Sequence, residues 1–468
     1  MMDMAETPRI LIVGGGHAGL HVAARLTRRL RRGEAEVTVV DPCSYMTYQP
    51  LLAEASAGSL EPRHVVVPLR RVLPGVRVVK ANVTSIDHAH RAAHLDVGSG
   101  MSTMLRYDVL VLAVGSISRV LPIPGLAEVG IGFKTIGEAI HLRNHVLARL
   151  DAAAAVTDPV MRRKALTFVF VGGGYAGVEA LAELEDMAHD VCSRYRELDP
   201  REMRWVLVEA ADRILPEVGA VMGRYTVDLL RRRGIEVRLG TRLSSAVDGH
   251  IVLSDGAEFD ADTVVWTAGV APHPVVRRTD LPRDRHGRIR VTPHLAAEGL
   301  DDAWALGDCA AVPDLAGGEG AWCAPSAQHA VRQARTVADN IVAVLRGRKP
   351  AEYRHATAGS VASLGLYHGV AQVYGIRMRG FPAWFTHRTY HLLELPTLNR
   401  RLRVVADWTL GLLSGARWSR SAYSRTPGPT SGPHWTPTRS SVPPDRRRVC
   451  PQHPGVSTPQ TGSRGAGS

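Results

Sequence analysis

The feature that most constrains the fold is a strand–glycine turn–helix unit that occurs twice, about 160 residues apart. Residues 9–13 (RILIV) form a short β-branched run, followed by GGGHAG and by LHVAARLTRRL, whose apolar positions recur at helical spacing. Gly14, Gly16 and Gly19 make G-x-G-x-x-G: the first permits the tight turn, the second lets the backbone approach a pyrophosphate, and the third lets the helix pack closely on its strand. An anion then sits on the helix N-terminus, where free N–H groups and the positive end of the dipole meet it. The next run, EVTVVD, ends in Asp41, 22 residues beyond Gly19 and placed to accept hydrogen bonds from a ribose diol.

The pattern repeats in ALTFVFVGGGYAGVEALAELEDMA, with Gly172, Gly174 and Gly177, and MRWVLVE then delivers Glu209 at a strand end. A carboxylate there repels a 2′-phosphate and accepts a 2′-OH, so NADH is expected rather than NADPH, although Arg213 is near enough to keep NADPH open. Two nucleotide sites in one chain imply that two dinucleotides meet, which a dehydrogenase acting on a free substrate does not require. The fold class is therefore α/β, with two Rossmann-like dinucleotide-binding domains.

Size and charge bound the remaining readings. A chain of 468 residues is long enough for two or three domains with real cores. The five cysteines are scattered and form no CxxC pair, so neither a disulfide framework nor a zinc site is indicated, and a reducing, cytoplasmic compartment is expected. The N-terminal MMDMAETPRI lacks the regions of a signal peptide. The most apolar late segment is interrupted by His387, Arg388, His391 and Glu394, which argues against a spanning helix and leaves peripheral contact as the membrane option. Residues 415–468 hold eight Arg against one Asp, a net +7 of the chain's +12, in a Pro-, Ser-, Thr- and Gly-rich context expected to be a disordered basic tail. The body is only mildly basic, so no nucleic-acid partner is expected.

With these residues in place the sequence resembles the pyridine nucleotide–disulfide reductase superfamily and, within it, the type II NADH dehydrogenases, non-proton-pumping NADH:quinone oxidoreductases. The resemblance covers roughly residues 8–412. The segment TYQPLLAEASAGSLEPRHVVVPLR carries Gln49, Pro50, Leu51 and Leu52 in matching places. YDVLVLAVGS and ADTVVWTAGV, ending at Gly115 and Gly269, resemble the two crossings between the FAD and NADH domains. Asp308, in DDAWALGDCAAV, matches an aspartate that bonds the FAD ribityl or pyrophosphate region. APSAQHAVRQARTVADNI resembles the family's Ala-Gln-x-Ala-x-Gln helix, with Ala327, Gln328 and Ala330 matching and Arg332 departing from the second glutamine, beside Gln333.

The resemblance implies FAD on the first loop, NADH on the second, and quinone (menaquinone or ubiquinone) as acceptor. It gives Gln328 a place in the quinone pocket, and Glu179 a place near nicotinamide and flavin, as orienting group or proton donor. Read without it, Glu179 is a helix N-terminal acid complementing the dipole, Glu183 a surface acid one turn on, and the Gln328 helix a plain closing helix. The expected domains are 1–120 and 276–350 for FAD, 121–275 for NADH, an aromatic membrane-associating region over 351–414, and the tail. Tyr367, Tyr374, Phe381, Trp384, Phe385, Tyr390 and Trp408, interleaved with arginines, fit a platform on an anionic membrane at the cytoplasmic face, although a homodimer interface has the same composition. Two rival readings use the same scaffold. A sulfide:quinone reductase needs a cysteine pair that the sequence does not show. A soluble NADH-dependent reductase of a small electron-transfer protein such as a ferredoxin would suit Arg332 and the basic patches.

Overall fold

The runs RILIV and TFVFV are apolar on both faces, which commits each to the middle of a sheet covered on both sides. The computed structural model describes residues 7–318, 320–356 and 359–414, with side chains to 411, and places both runs so. Arg9–Val13 is the central strand of a five-stranded parallel sheet in the order Ala303–Ala305, Val109–Leu112, Arg9–Val13, Glu36–Asp41, Arg77–Lys80. Thr167–Val171 is central in a second, ordered Gly130–Gly132, Thr263–Trp266, Thr167–Val171, Arg204–Val208, Glu236–Arg238. The same Rossmann-like sheet is thus built twice in a mixed α/β fold. The expected 415–468 tail lies outside the described residues.

In each sheet the glycine turn hands the central strand to a helix, His17–Arg29 in the first and Tyr175–Cys192 in the second. The first glycine of each turn takes a φ of +102° (Gly14) or +119° (Gly172), where a side chain is strained. The third seats the helix: a Cβ on Gly19 would collide with the Gly14 carbonyl oxygen, and one on Gly177 with that of Gly172. Short antiparallel strands, Ser116–Ser118 and Val270–Pro272, carry the chain from one sheet to the other and back. Both crossings are entered through glycines at positive φ, Gly115 (+65°) and Gly269 (+79°).

The helix Ala327–Leu345 then returns to the first sheet and is tied to His17–Arg29 by a fork of Arg25 on Asp339 at 2.9 and 2.5 Å. A three-stranded antiparallel sheet over 359–379 follows, and then the helices Phe381–Glu394 and Leu398–Ser414. The late aromatics divide between two faces. Trp384 is buried, and Trp408 donates Nε1 to Glu54 Oε2 at 2.7 Å, so both face the protein and leave the outward face to Tyr367, Tyr374, Phe381 and Phe385. No helix among the described residues is long and apolar enough to cross a membrane.

The close seating of the two helices predicts that Gly19→Ala and Gly177→Ala each lose about 2 kcal/mol or more in denaturant unfolding, because the backbone on which the new methyl falls cannot step aside. Gly16→Ala, whose Cβ meets nothing within 4 Å, should unfold like the wild type. Equal tolerance at all three positions would show that the third glycine does not seat the helix.

Candidate functional site

Each glycine loop is held in shape by the acid that ends the neighbouring strand. Gly15 donates its N–H to Asp41 Oδ2 at 2.6 Å, and Cys43 donates to Oδ1 at 2.7 Å. The second loop repeats this: Gly173 donates to Glu209 Oε2 at 2.6 Å and Ala211 to Oε1 at 2.7 Å. Burial pushes the Asp41 carboxyl above its ordinary value, against the two N–H bonds that it accepts. Gly16 and Gly174 are the N-caps of the two helices, and neither cap is closed by a side chain. A Cβ on either would enter open space. Open space at the middle glycine, free helical N–H groups beyond it and a carboxylate at the strand end are what a dinucleotide requires, so both cradles fit the group expected there.

The carboxyl ends of the two sheets meet through a chain of side chains. Ser116, just past the first crossing glycine, donates to Asp308 Oδ2 at 2.6 Å, and Lys134 Nζ donates to Ser116 Oγ at 2.5 Å. Lys134 follows the edge strand Gly130–Gly132 of the second sheet, while Ser116 and Asp308 follow strands of the first. Burial lowers the Lys134 ammonium's pKa, with Asp308 and Glu138 pulling the other way. Gln49 donates Nε2 to the Lys134 carbonyl at 3.1 Å, which brings the Gln49–Leu52 segment to the same place. A small cleft lies against Gly307 and Asp308 and is lined also by Arg288, Cys323, His329 and Gln333.

On the Ala327–Leu345 helix the offset glutamine is the one that faces inward. Gln333 is buried, and its Oε1 accepts the Gly307 N–H at 2.8 Å, fixing the turn that carries Asp308. Gln328 stands beside Ala327 in the first turn, with Oε1 3.5 Å from His355 Nε2. Arg332 bends back along its own helix and donates to the Gln328 carbonyl at 3.1 Å.

The acids of the second helix are more deeply placed than a dipole argument requires. Glu179 is buried and its Oε1 accepts the Ser363 N–H at 2.9 Å. Glu183, read from sequence as a surface acid, is 3% exposed, because the hairpin over 359–373 covers this face. It accepts from Ser363 Oγ at 3.0 Å. Desolvation, and then the charge of Glu54, push its carboxyl up to about 7. Glu54 in turn meets Arg388 at 3.2 Å, and the Arg388 guanidinium lies 4.2 and 4.7 Å from the ring centroids of Trp384 and Trp408. Two buried carboxylates therefore share one cation. Sequence spacing gave no sign of Lys134, Ser116, Ser363 or Glu54, since each acts across elements distant in the chain. Gln333 was marked only by its place next to the departing Arg332.

The sequence profile of the pyridine nucleotide-disulphide oxidoreductases matches residues 8–334. The chain is 30% identical over 438 residues to Ndh, a type II NADH:quinone oxidoreductase of Mycobacterium tuberculosis, covering 89% of this chain and 92% of that protein. It is 30% identical over 385 residues to a type II NADH:quinone oxidoreductase of Staphylococcus saprophyticus, covering 81% and 93%. NDH2 from Plasmodium falciparum, solved in complex with NADH, shares the fold with a TM-score of 0.81 at 17% identity, covering 87% of this chain and 99% of that one.

The burial of Glu183 gives a pH dependence with a definite sign. From its ordinary 4.5 up to about 7, the folded protein holds a proton that the unfolded chain releases, so stability falls as pH rises through that window. Glu183→Gln keeps a group for Ser363 and removes the cost. It should unfold about 2–3 kcal/mol harder than wild type near pH 8 and match it near pH 4.5, read from denaturant midpoints. A constant difference across this range would contradict the raised carboxyl.

Proposed function

The chain belongs to the pyridine nucleotide-disulphide oxidoreductase family and, within it, to the type II NADH:quinone oxidoreductases, and from that premise we propose how its residues share the work. It is an FAD-dependent enzyme that oxidises NADH and reduces quinone. The observation that carries this reading is the duplicated cradle, two carboxylate-braced glycine loops whose sheets meet at their carboxyl ends. FAD, when bound, supplies the two-electron redox chemistry.

In this reading residues 1–120 and 276–350 form the FAD domain. Gly14, Gly16 and Gly19 take the pyrophosphate, Asp41 the ribose, and Gly115, Asp308, Ala327 and Gln328 the remainder. Residues 121–275 form the NADH domain, with Gly172, Gly174 and Gly177 on the pyrophosphate, Glu209 on the ribose, and Gly269 turning the chain back. The fixed positions of these groups hold the two reactants in register, which is the main contribution a protein makes to hydride transfer. Glu179 stands at the edge of this junction as orienting group or proton donor, and Gln328 faces menaquinone or ubiquinone.

The region 351–414 is the membrane-associating part. Phe381, Phe385, Leu398, Leu402 and Leu410 are all more than half exposed, beside the exposed Arg377 and Arg403. An apolar face rimmed by cations suits the interfacial layer of an anionic membrane. We place that surface on the cytoplasmic side, in keeping with the free thiols of Cys43, Cys192, Cys309 and Cys323. A homodimer through the same face is the competing occupant.

Purified enzyme should oxidise NADH with a short-chain menaquinone analogue and sediment with anionic liposomes. Absence of quinone turnover would overturn the acceptor assignment. Phe381→Glu with Phe385→Glu should cut liposome binding about 10-fold or more at unchanged FAD content. If instead the variant stays on liposomes and only its size in solution falls, the face is a dimer interface. Glu209→Arg should shift the NADH/NADPH preference in kcat/KM by about 100-fold towards NADPH, since it removes a ribose acceptor and a like charge together. An unchanged preference would show that the ribose is read elsewhere.

A further inference from the structure

The helix Phe381–Glu394 buries two histidines one turn apart, His387 and His391, which cofactor binding does not use. His387 Nε2 lies 3.2 Å from Glu179 Oε1, off the axis of a hydrogen bond, and neither of its ring nitrogens has a hydrogen-bond partner among the described residues. A buried polar group left in that state calls for an explanation, and a catalytic role is one. The His387 and His391 rings are 4.5 Å apart, edge to face. His391 Nδ1 lies 3.2 Å from Tyr48 Oη. Beyond it the helix ends in Glu394, an exposed acid close enough for its charge to act on both Tyr48 and His21. Titratable groups thus succeed one another from Tyr48 through His391 and His387 to Glu179, on the helix that ends at the exposed Glu394.

We propose that His391 and His387 carry to Glu179 the proton that quinone reduction draws from water. The inference rests on the quinone reading given above. The overall balance fixes the need: NADH, one proton and quinone give NAD⁺ and quinol. The nicotinamide C–H bond breaks, its electron pair and hydrogen leave as hydride, and two O–H bonds form on the quinone. One proton must come from solvent into a buried junction. Burial, then the neighbouring His387 and His17, hold His391 well below its ordinary pKa and so neutral. A neutral imidazole accepts at one nitrogen and releases at the other, so each ring can hand on a proton to a neighbour that comes within hydrogen-bond reach, without storing a buried charge. His387 and His391 act through Glu179 and are positioning residues in this scheme.

The test uses the full, FAD-loaded chain with His387→Gln and His391→Gln, which keep a polar side chain but cannot relay a proton through a ring. Kcat with a soluble quinone should fall by about 10-fold or more at little-changed KM, with a larger solvent deuterium isotope effect and partial rescue by added imidazole. Turnover with ferricyanide, which takes electrons without protons, should stay within about two-fold of wild type, as should flavin bleaching by NADH. FAD content and thermal midpoint check folding, and quinone affinity from flavin fluorescence quenching gives a readout independent of turnover. An equal fall with both acceptors would mark the histidines as structural and overturn the relay. Wild-type-like quinone turnover in His387→Gln would overturn it as well, and so would the same result in His391→Gln, should the first variant lose FAD. Wild-type protein that bleaches with NADH yet fails to reduce quinone would instead overturn the quinone reading, and the relay with it.

Discussion

The bond on which the rest of the molecule depends is the one from a glycine-loop N–H to the carboxylate at the end of the adjoining strand. It occurs twice at 2.6 Å, on Asp41 and on Glu209, although the two side chains differ by a methylene. Each acid uses its second oxygen to hold the chain just past its own strand. The turn after each central strand is thereby fixed without any side chain capping the helix that follows. The helical N–H groups stay free to meet an anion. A conventional N-cap residue would strengthen the helix and close the site.

Duplicating this device places a second demand on the fold, because two cradles are useful only if their open ends meet. The antiparallel crossing strands bring the sheets together, and the Lys134–Ser116–Asp308 chain fastens them where the carboxyl ends converge. Burying a lysine for that purpose costs stability, as the lowered pKa of its ammonium records. The compensation is geometric. A charged hydrogen-bond chain fixes the separation of two domains more tightly than apolar packing, which tolerates sliding.

Features that are local in sequence were legible from it, and features made by contact between distant segments were not. The glycine spacing, the β-branched runs and the terminal acids lie within about 40 residues of one another, so both strand–turn–helix cradles could be read directly. Glu183 was misjudged because an acid one turn beyond Glu179 looks like part of a solvated face until the hairpin at 359–373, nearly 180 residues later, covers it. The late tryptophans were misjudged for the same reason. Their number marked the region as unusual, but only Glu54 and Arg388 determine that Trp384 and Trp408 turn inward. Arg332 interrupted a recognised motif and drew attention to itself, while the glutamine that does the work, Gln333, stood next to it.

The helix Phe381–Glu394 is inside out by the standards of a soluble protein. It buries His387, Arg388 and His391 and exposes Phe381, Phe385 and Leu393. Arg388 and His391 go inward where Glu54 and Tyr48 wait for them, and His387 stands 3.2 Å from Glu179 without a hydrogen bond, so the buried face meets groups from both nucleotide-binding halves. A cluster of large apolar side chains turned outward marks an interaction surface. The two faces are therefore explained together. On the membrane and relay readings proposed above, this helix brings imidazoles to a buried carboxylate and rests its phenylalanines on a lipid surface, joining the place where a hydrophobic acceptor arrives to the place where its proton is needed.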